Sequence, residues 1–153
     1  MKVLITGGAG FIGSHIAEHY QGIAEEIRVL DNLRTGYKKN LDGLKVTFIE
    51  GSITDREVVA KAVEGVDYIF HMAAMVSVPE SMIKIRETLD LNVNGLLTVL
   101  EEASKAGVKK VVLASSAAIY GDNPIVPKVE TMYPEPKSPY GITKLDGEYY
   151  MEM

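Results

Sequence analysis

The sequence predicts an α/β fold built on a doubly wound parallel sheet, and three observations support this prediction. Short apolar runs rich in β-branched residues, such as Lys2–Thr6 and residues 66–72, indicate buried strands. Segments with helical apolar spacing lie between these runs, and a glycine-rich stretch directly follows the first run. The resulting order, β-α-β-β-α-β-α-β-α, is typical of a parallel sheet with helices on both faces.

The first helix is predicted over residues 11–23. Ile12, Ile16 and Tyr20 lie four residues apart there, which places them on one face. Further strands are predicted over residues 27–30, 46–49 and 108–115, besides the run at 66–72.

Capping patterns predict where two later helices begin. Thr54 followed by Glu57, and Ser77 followed by Glu80, both fit the capping box, in which a hydroxyl and a carboxylate satisfy free backbone N–H groups. We therefore expect one helix from Thr54 to about residue 64. A second is expected from Ser77 to about residue 106, with an interruption near residues 90–94.

The last part of the chain is predicted to be a loop followed by a helix. Residues 120–138 carry four of the prolines, and Ser138-Pro139 is typical of an N-cap and first helical position. The final residues, 149–153, remain largely apolar with no stop signal. We therefore expect a truncated sequence that lacks the last strands of its sheet and a C-terminal substrate domain.

Composition narrows the class of protein. The 153 residues suit one domain, and the 16 basic against 21 acidic side chains give a net charge of -5, which disfavours nucleic acid and anionic membrane partners. Absence of cysteine excludes disulfides, thiolate metal sites and cysteine nucleophiles. No apolar run reaches the ~18 residues that span a bilayer, and no signal peptide is evident, so we expect a cytoplasmic location.

A nucleotide site is predicted at the glycine-rich stretch. Gly7, Gly8, Gly10 and Gly13 satisfy both G-x-G-x-x-G and G-x-x-G-x-x-G between the first strand and the first helix. Glycine permits a tight turn and close approach of backbone to a pyrophosphate, and the helix N-terminus offers free N–H groups. The fold is therefore expected to be Rossmann-like.

The cofactor at this site is predicted to be NAD. Asp31 ends the second strand 18 residues after Gly13, close to the ~20 expected of the acid that binds the ribose 2′-hydroxyl. A carboxylate there repels the 2′-phosphate of NADP, although nearby Arg34 could accommodate that phosphate.

A chemical site is predicted where Tyr140 and Lys144 share a helix face. A lysine ammonium favours the tyrosinate form, which can act as a general base. Ser115 and Ser116 end the fifth strand, at the sheet edge where open α/β folds bind ligands. The lone histidines His15, His19 and His71 show no metal signature, so no metal site is predicted.

The ordered motifs together resemble the extended short-chain dehydrogenase/reductase superfamily, and within it the NAD-dependent epimerase/dehydratase family, most closely the UDP-sugar 4-epimerases. The motifs are Thr6-Gly7-Gly8-Ala9-Gly10-Phe11-Ile12-Gly13, Asp31-Asn32-Leu33, His71-Met72-Ala73-Ala74, Ser115-Ser116-Ala117-Ala118-Ile119-Tyr120-Gly121 and Ser138-Pro139-Tyr140-Gly141 with Lys144. They cover this whole chain but only the N-terminal half of the family pattern.

The resemblance implies transient oxidation of a UDP-sugar at C4 by tightly bound NAD. Ser116, Tyr140 and Lys144 would be catalytic, with Tyr140 as the base, and Ser77, Ser116 and Tyr140 would contact substrate. The implied cofactor contacts are Gly7, Gly10, Phe11, Ile12, Gly13, Asp31, Asn32, Leu33, Thr35, Gly36, Ser52, Ile53, Met72, Ala73, Ala74, Asn92, Tyr140 and Lys144. The family also implies a homodimer formed through residues 83–106 and the helix that starts at Tyr140.

Two departures from the family pattern leave the identity of the sugar open, and a further feature bears on the type of reaction. Ser52 stands where the family often has an acid that touches adenine, and Val76 stands where many bacterial members have lysine, a variant seen with N-acetylated UDP-sugars. Ala117-Ala118 replace the acidic pair of the 4,6-dehydratases, which disfavours dehydration. The alternatives are another NAD-dependent nucleotide-sugar epimerase or decarboxylase, an NAD-binding fragment without turnover, and a redox-inactive sensor.

Overall fold

A computed structural model describes all residues, 1–153, and contains one five-stranded parallel sheet. The strands follow the order β3-β2-β1-β4-β5 across the sheet. Their bounds are β1 Lys2–Thr6, β2 Glu26–Asp31, β3 Thr47–Glu50, β4 Tyr68–His71 and β5 Lys110–Leu113. The predicted Rossmann-like α/β architecture is confirmed.

Six α-helices connect or follow these strands. Their bounds are α1 Phe11–His19, α2 Arg56–Val63, α3 Val78–Ile83, α4 Ile85–Leu89, α5 Gly95–Lys105 and α6 Pro139–Glu152. A π-helical turn occupies Asp90–Asn94, where the sequence predicted an interruption, and a 3-10 helix occupies Ala117–Tyr120. A second 3-10 helix spans Lys38–Leu41.

Two sequence predictions about helix ends were wrong. The helix over residues 11–23 ends at His19, because the chain turns away through Gly22, whose φ of 76° is left-handed. Ile12 is not on a buried face but 60% exposed. Asp55, not Thr54, caps α2, because its carboxylate accepts from the amides of Glu57 and Val58.

The chain divides into two compact units. The first unit comprises Met1–Ala73 and Gly95–Ala114 and contains the sheet with α1, α2 and α5. Its strands alternate between two apolar clusters: Leu4 belongs to the cluster with Val59 and Val99, whereas Val3 and Ile5 belong to the cluster with α1. This alternation is how a parallel sheet buries both of its faces.

The second unit comprises Ala74–Asn94 and Ser115–Met153. It contains α3, α4, the π-helical turn, the 3-10 helix after Ser116, and α6. Ser77 and Ser138 cap α3 and α6 as predicted, accepting from the amides of Glu80 and Gly141. Residues 121–138 form a loop without helix or strand. No helix combines the length and the apolar character that crossing a membrane would require.

Candidate functional site

The glycine-rich turn of the first unit is closely packed backbone. Gly7 has a φ of 69°, and a Cβ there would lie 2.6 Å from the amide nitrogen of Ala73. A Cβ on Gly13 would lie 2.4 Å from the carbonyl oxygen of Gly7. Side chains at these two positions would push the turn apart, so both glycines are needed to bring strand, turn and helix together.

The peptide of Ala9, at the middle of this turn, is held from two sides. Its N–H donates to Oδ2 of Asp31 at 2.9 Å. Its carbonyl oxygen accepts from the amide of Tyr37 at 3.0 Å and from Nδ2 of Asn40 at 2.8 Å. Three hydrogen bonds therefore hold the glycine turn in this conformation.

Asp31 joins the glycine turn to the loop after β2. Its carboxylate is buried and accepts from the amides of Ala9 and Leu33, the latter at 2.8 Å. Leu33 has a φ of 57°, which is rare for a branched side chain, and the bond from Asp31 supports it. Each carboxylate oxygen has a further lone pair, so Asp31 retains the capacity to accept from a ribose hydroxyl.

The N-terminus of α1 is open to a ligand. Gly10 is its N-cap and supplies no side-chain bond, and no acidic residue lies in the first turn. Phe11 and Ile12 are exposed there, 78% and 60% respectively. Uncapped amides at a helix N-terminus favour an anion, and the two exposed apolar side chains can cover it.

Other predicted cofactor residues of the first unit lie at the carboxyl ends of strands. Thr6 Oγ1 pairs with Nδ1 of His71 at 2.9 Å and accepts from the amide of Ala73 at 3.3 Å. His71 is therefore a buried structural histidine, and its bonding fixes the segment that carries Met72 and Ala73. Ser52 Oγ is 2.8 Å from Oγ1 of Thr54 and accepts from its amide, so the hydroxyl is already engaged.

The second unit carries the predicted catalytic set. Tyr140 and Lys144 are both buried on α6, at 9% and 6% exposure, and the ammonium nitrogen of Lys144 lies 5.9 Å from the centre of the Tyr140 ring. Burial lowers the pKa of Lys144 from 10.5 to about 8. Lys144 is thus a buried lysine whose ammonium lies beside the ring of Tyr140.

Ser116 lies before the 3-10 helix that packs against α6. Its Oγ accepts from the amide of Ala118 at 3.1 Å, which leaves the hydroxyl hydrogen available to a ligand. A Cβ on Gly141 would lie 2.8 Å from the carbonyl oxygen of Ala118. Gly141 therefore allows α6 to approach the segment that carries Ser116.

Asn92 is held inside a buried network rather than pointing freely into a pocket. Its Oδ1 accepts from the amide of Met75 at 2.7 Å, and its Nδ2 donates to the Met75 carbonyl at 3.1 Å and to Thr143 Oγ1 at 3.0 Å. Thr143 in turn donates to the Tyr140 carbonyl at 2.8 Å. Both donor hydrogens of Asn92 are used, so any cofactor bond must use its oxygen.

Several residues that support the catalytic set were missed by sequence reasoning. Ser81 is fully buried and accepts from the amide of Tyr140 at 3.2 Å, tying α3 to the start of α6. Thr143 sits inside the Y-x-x-x-K motif, at a position that the motif leaves unspecified. Ser77, predicted to contact substrate, uses its side-chain oxygen to cap α3. The exposed Asn32 and Thr35 lie in the loop after β2.

Comparison with known proteins gives a match over almost the entire chain. A family model described as the NAD dependent epimerase/dehydratase family matches residues 3–153. The UDP-glucose 4-epimerase of Lacticaseibacillus casei is 40% identical over 153 residues, which are 99% of this chain and 46% of that protein.

Solved structures give the same result. The UDP-glucose 4-epimerase of Thermotoga maritima, crystallised with UDP-glucose, has a TM-score of 0.93 and 41% identity. The match covers 99% of this chain and 50% of that chain. The UDP-glucose 4-epimerase of Thermus thermophilus, in complex with NAD, has a TM-score of 0.91 and 39% identity. The match covers 99% of this chain and 50% of that chain. The chain therefore spans about half the length of the relatives it matches.

Proposed function

The chain belongs to the NAD dependent epimerase/dehydratase family, and from that premise we propose that it forms the cofactor-binding and catalytic part of a UDP-sugar 4-epimerase. The observation that carries the proposal is the buried pair of Tyr140 and Lys144 on α6, packed against the segment that follows Ser116. The proposed substrates are UDP-glucose and UDP-galactose, or an N-acetylated analogue.

The residues of the first unit fit a dinucleotide. The rigid glycine turn lets a pyrophosphate approach the backbone, and the uncapped amides of α1 carry the positive end of its dipole. Asp31 would accept from a ribose hydroxyl while keeping its two backbone bonds. A carboxylate at this position favours NAD over NADP.

The residues of the second unit supply the proton chemistry. Tyr140 would accept the proton of the sugar 4-hydroxyl and later return it to the 4-oxygen. Ser116 would donate its free hydrogen to the same oxygen, and the ammonium of Lys144 would stabilise the tyrosinate form. NAD, when bound, supplies reversible acceptance of hydride from C4, so that hydride can return to the opposite face of the sugar.

The proposal is tested by replacing the base in the whole protein that contains these residues. Tyr140→Phe should lower the rate of UDP-galactose conversion to UDP-glucose by at least about 100-fold, the scale of general base catalysis, and leave NAD bound. Tyr133→Phe is the matched control, because Tyr133 is an exposed tyrosine outside the helices of the proposed site. Full turnover by Tyr140→Phe would overturn the assignment of the base.

A second candidate function is supported by length. Because the chain spans about half of its relatives, residues 1–153 alone could bind NAD without turning over a UDP-sugar. Thermal unfolding of the 153-residue chain with NAD and with UDP separates the two possibilities. A higher melting temperature with NAD alone supports the binding fragment. Higher melting temperatures with both ligands, together with turnover of UDP-galactose, support the enzyme.

A homodimer is also part of the proposal. The helices that the family uses for dimers carry exposed apolar side chains here, namely Ile83, Ile85, Leu89, Ile142 and Tyr149. Such side chains are typical of an interface. Light scattering of the whole protein should give twice the monomer mass, and Leu89→Glu should shift it toward the monomer.

A further inference from the structure

A hydrogen bond outside the proposed chemical groups joins the segment after β5 to α6. Ser115 Oγ donates to a carboxylate oxygen of Glu148. Glu148 lies four residues after Lys144 and eight after Tyr140, so the three side chains occupy one face of α6. Ser115 directly precedes Ser116, the proposed catalytic serine, in the chain.

The backbone conformation couples the side-chain direction of Ser116 to that of Ser115. Ser116 is extended, with φ of -155° and ψ of 144°. Successive side chains of an extended chain point to opposite sides. Fixing the side chain of Ser115 on α6 therefore fixes the direction in which Ser116 presents its hydroxyl.

Two anchors then define the position of Ser116. On one side its own Oγ accepts from Ala118, at the start of the 3-10 helix. On the other side, the preceding residue is bound to Glu148. A bond from a hydroxyl to a carboxylate is charge-assisted and hence stronger than one between neutral groups. The helix that carries Tyr140 and Lys144 thus also carries an acceptor that anchors the residue before Ser116.

We propose that Glu148, acting through Ser115, is a positioning residue that aligns Ser116 with Tyr140 and Lys144. The proposal rests on the proposed function, because it assigns Glu148 a purpose within that chemical site. It gives Glu148 no contact with the sugar or the cofactor. Loss of the bond should therefore reduce the chemical step and leave substrate binding unchanged.

The kinetic test is a double-mutant cycle in the whole protein. Ser115→Ala and Glu148→Ala should each lower kcat about tenfold at unchanged KM, because misplacement of a catalytic group reduces only the chemical step. The double variant should be no slower than either single variant. Glu148→Gln should restore most of the rate, since its amide oxygen still accepts from Ser115. Losses that multiply in the double variant, or a change confined to KM, would overturn the proposal.

A second measurement does not depend on turnover. Tyrosine labelled with ¹³C at the ring carbon that bears oxygen gives one resonance for Tyr140, assigned with Tyr140→Phe. Ser115→Ala and Glu148→Ala should move this resonance by the same amount, whereas Glu152→Gln, at an exposed position one turn further along α6, should not move it. If the wild-type protein converts no UDP-sugar, the proposed function fails while this readout still decides the positioning. An unmoved resonance, with only a lower melting temperature, would overturn the positioning role.

Discussion

The side-chain amide of Asn92 donates a hydrogen bond of 3.0 Å to the hydroxyl of Thr143, which lies 51 residues later in the chain. Both residues are buried, and Thr143 passes the connection on to the backbone of Tyr140. The π-helical turn thereby supports the helix that presents the proposed base. Such turns inside helical segments are often found at functional sites.

Removing the side chain of Asn92 should lower the free energy of unfolding. Asn92→Ala leaves buried backbone groups of Met75 without a partner, so we expect a loss of about 1–3 kcal/mol in the free energy of unfolding. Asn94→Ala removes an exposed hydrogen bond to Asp90 in the same turn, where water can replace the partner, so it should cost less than about 0.5 kcal/mol. Urea unfolding of both variants checks this expectation, and equal losses would contradict it.

The fold could be predicted because its signals are local. Strand positions follow from apolar runs, and Ser77 and Ser138 act as caps as expected because each is directly followed by a helix that needs an acceptor. Thr54 was mistaken for a cap because Asp55, which competes for the same amides, stands next to it. Local rules do not rank two adjacent capping residues.

The support around the site could not be predicted because it depends on distant contacts. Nothing near Thr143 in the sequence indicates that Asn92 will reach it. The same holds for the bond between Ser81 and the amide of Tyr140, 59 residues apart. The motif predicts which residues share a helix face, but tertiary packing determines what holds that helix in place.

The buried lysine should make stability depend on pH. Because burial lowers the pKa of Lys144 to about 8, the folded state loses this proton between about pH 8 and its ordinary value of 10.5, while the unfolded state still holds it. The free energy of unfolding then rises with pH across that interval. Below about pH 8 both states hold the proton, so the buried charge lowers the free energy of unfolding by its full amount.

Lys144→Met should therefore be more stable than the wild type at neutral pH, by up to about 3 kcal/mol. The advantage should shrink steadily from about pH 8 to about pH 10. Urea unfolding of both chains without cofactor at several pH values measures the difference, in which all other titrating groups cancel. A difference independent of pH would contradict the assignment.

Cofactor preference should depend on the charge of Asp31. Asp31→Asn keeps one oxygen acceptor for the backbone but removes the repulsion of a 2′-phosphate, so we expect the affinity for NADPH relative to NADH to rise roughly tenfold. Adding Arg34→Ala should reverse that gain if Arg34 accommodates the phosphate. Fluorescence titration with both reduced cofactors is the measurement. An unchanged ratio would place the cofactor discrimination elsewhere.

Two helical glycines should respond differently to alanine. A Cβ on Gly141 meets the backbone oxygen of Ala118, which cannot move aside, so Gly141→Ala should cost about 1–3 kcal/mol. A Cβ on Gly95 would lie 2.6 Å from Cδ1 and 2.8 Å from Cγ1 of the buried Ile53, which is a side chain and not backbone. Gly95→Ala should therefore cost less than Gly141→Ala, because a side chain can shift and alanine favours a helix by about 1 kcal/mol. Thermal unfolding compares the two, and equal effects would contradict the close approach at Gly141.

The proposed function requires that the residues on α6 support transient oxidation of a UDP-sugar at C4. The most direct measurement follows the conversion of UDP-galactose to UDP-glucose by the whole protein in deuterated water, with proton NMR at C4. Hydride that leaves C4 and returns to the opposite face does not exchange with solvent, so we expect epimerised sugar that retains its proton at C4. Deuterium at C4 in the product would show proton abstraction from carbon and contradict the account.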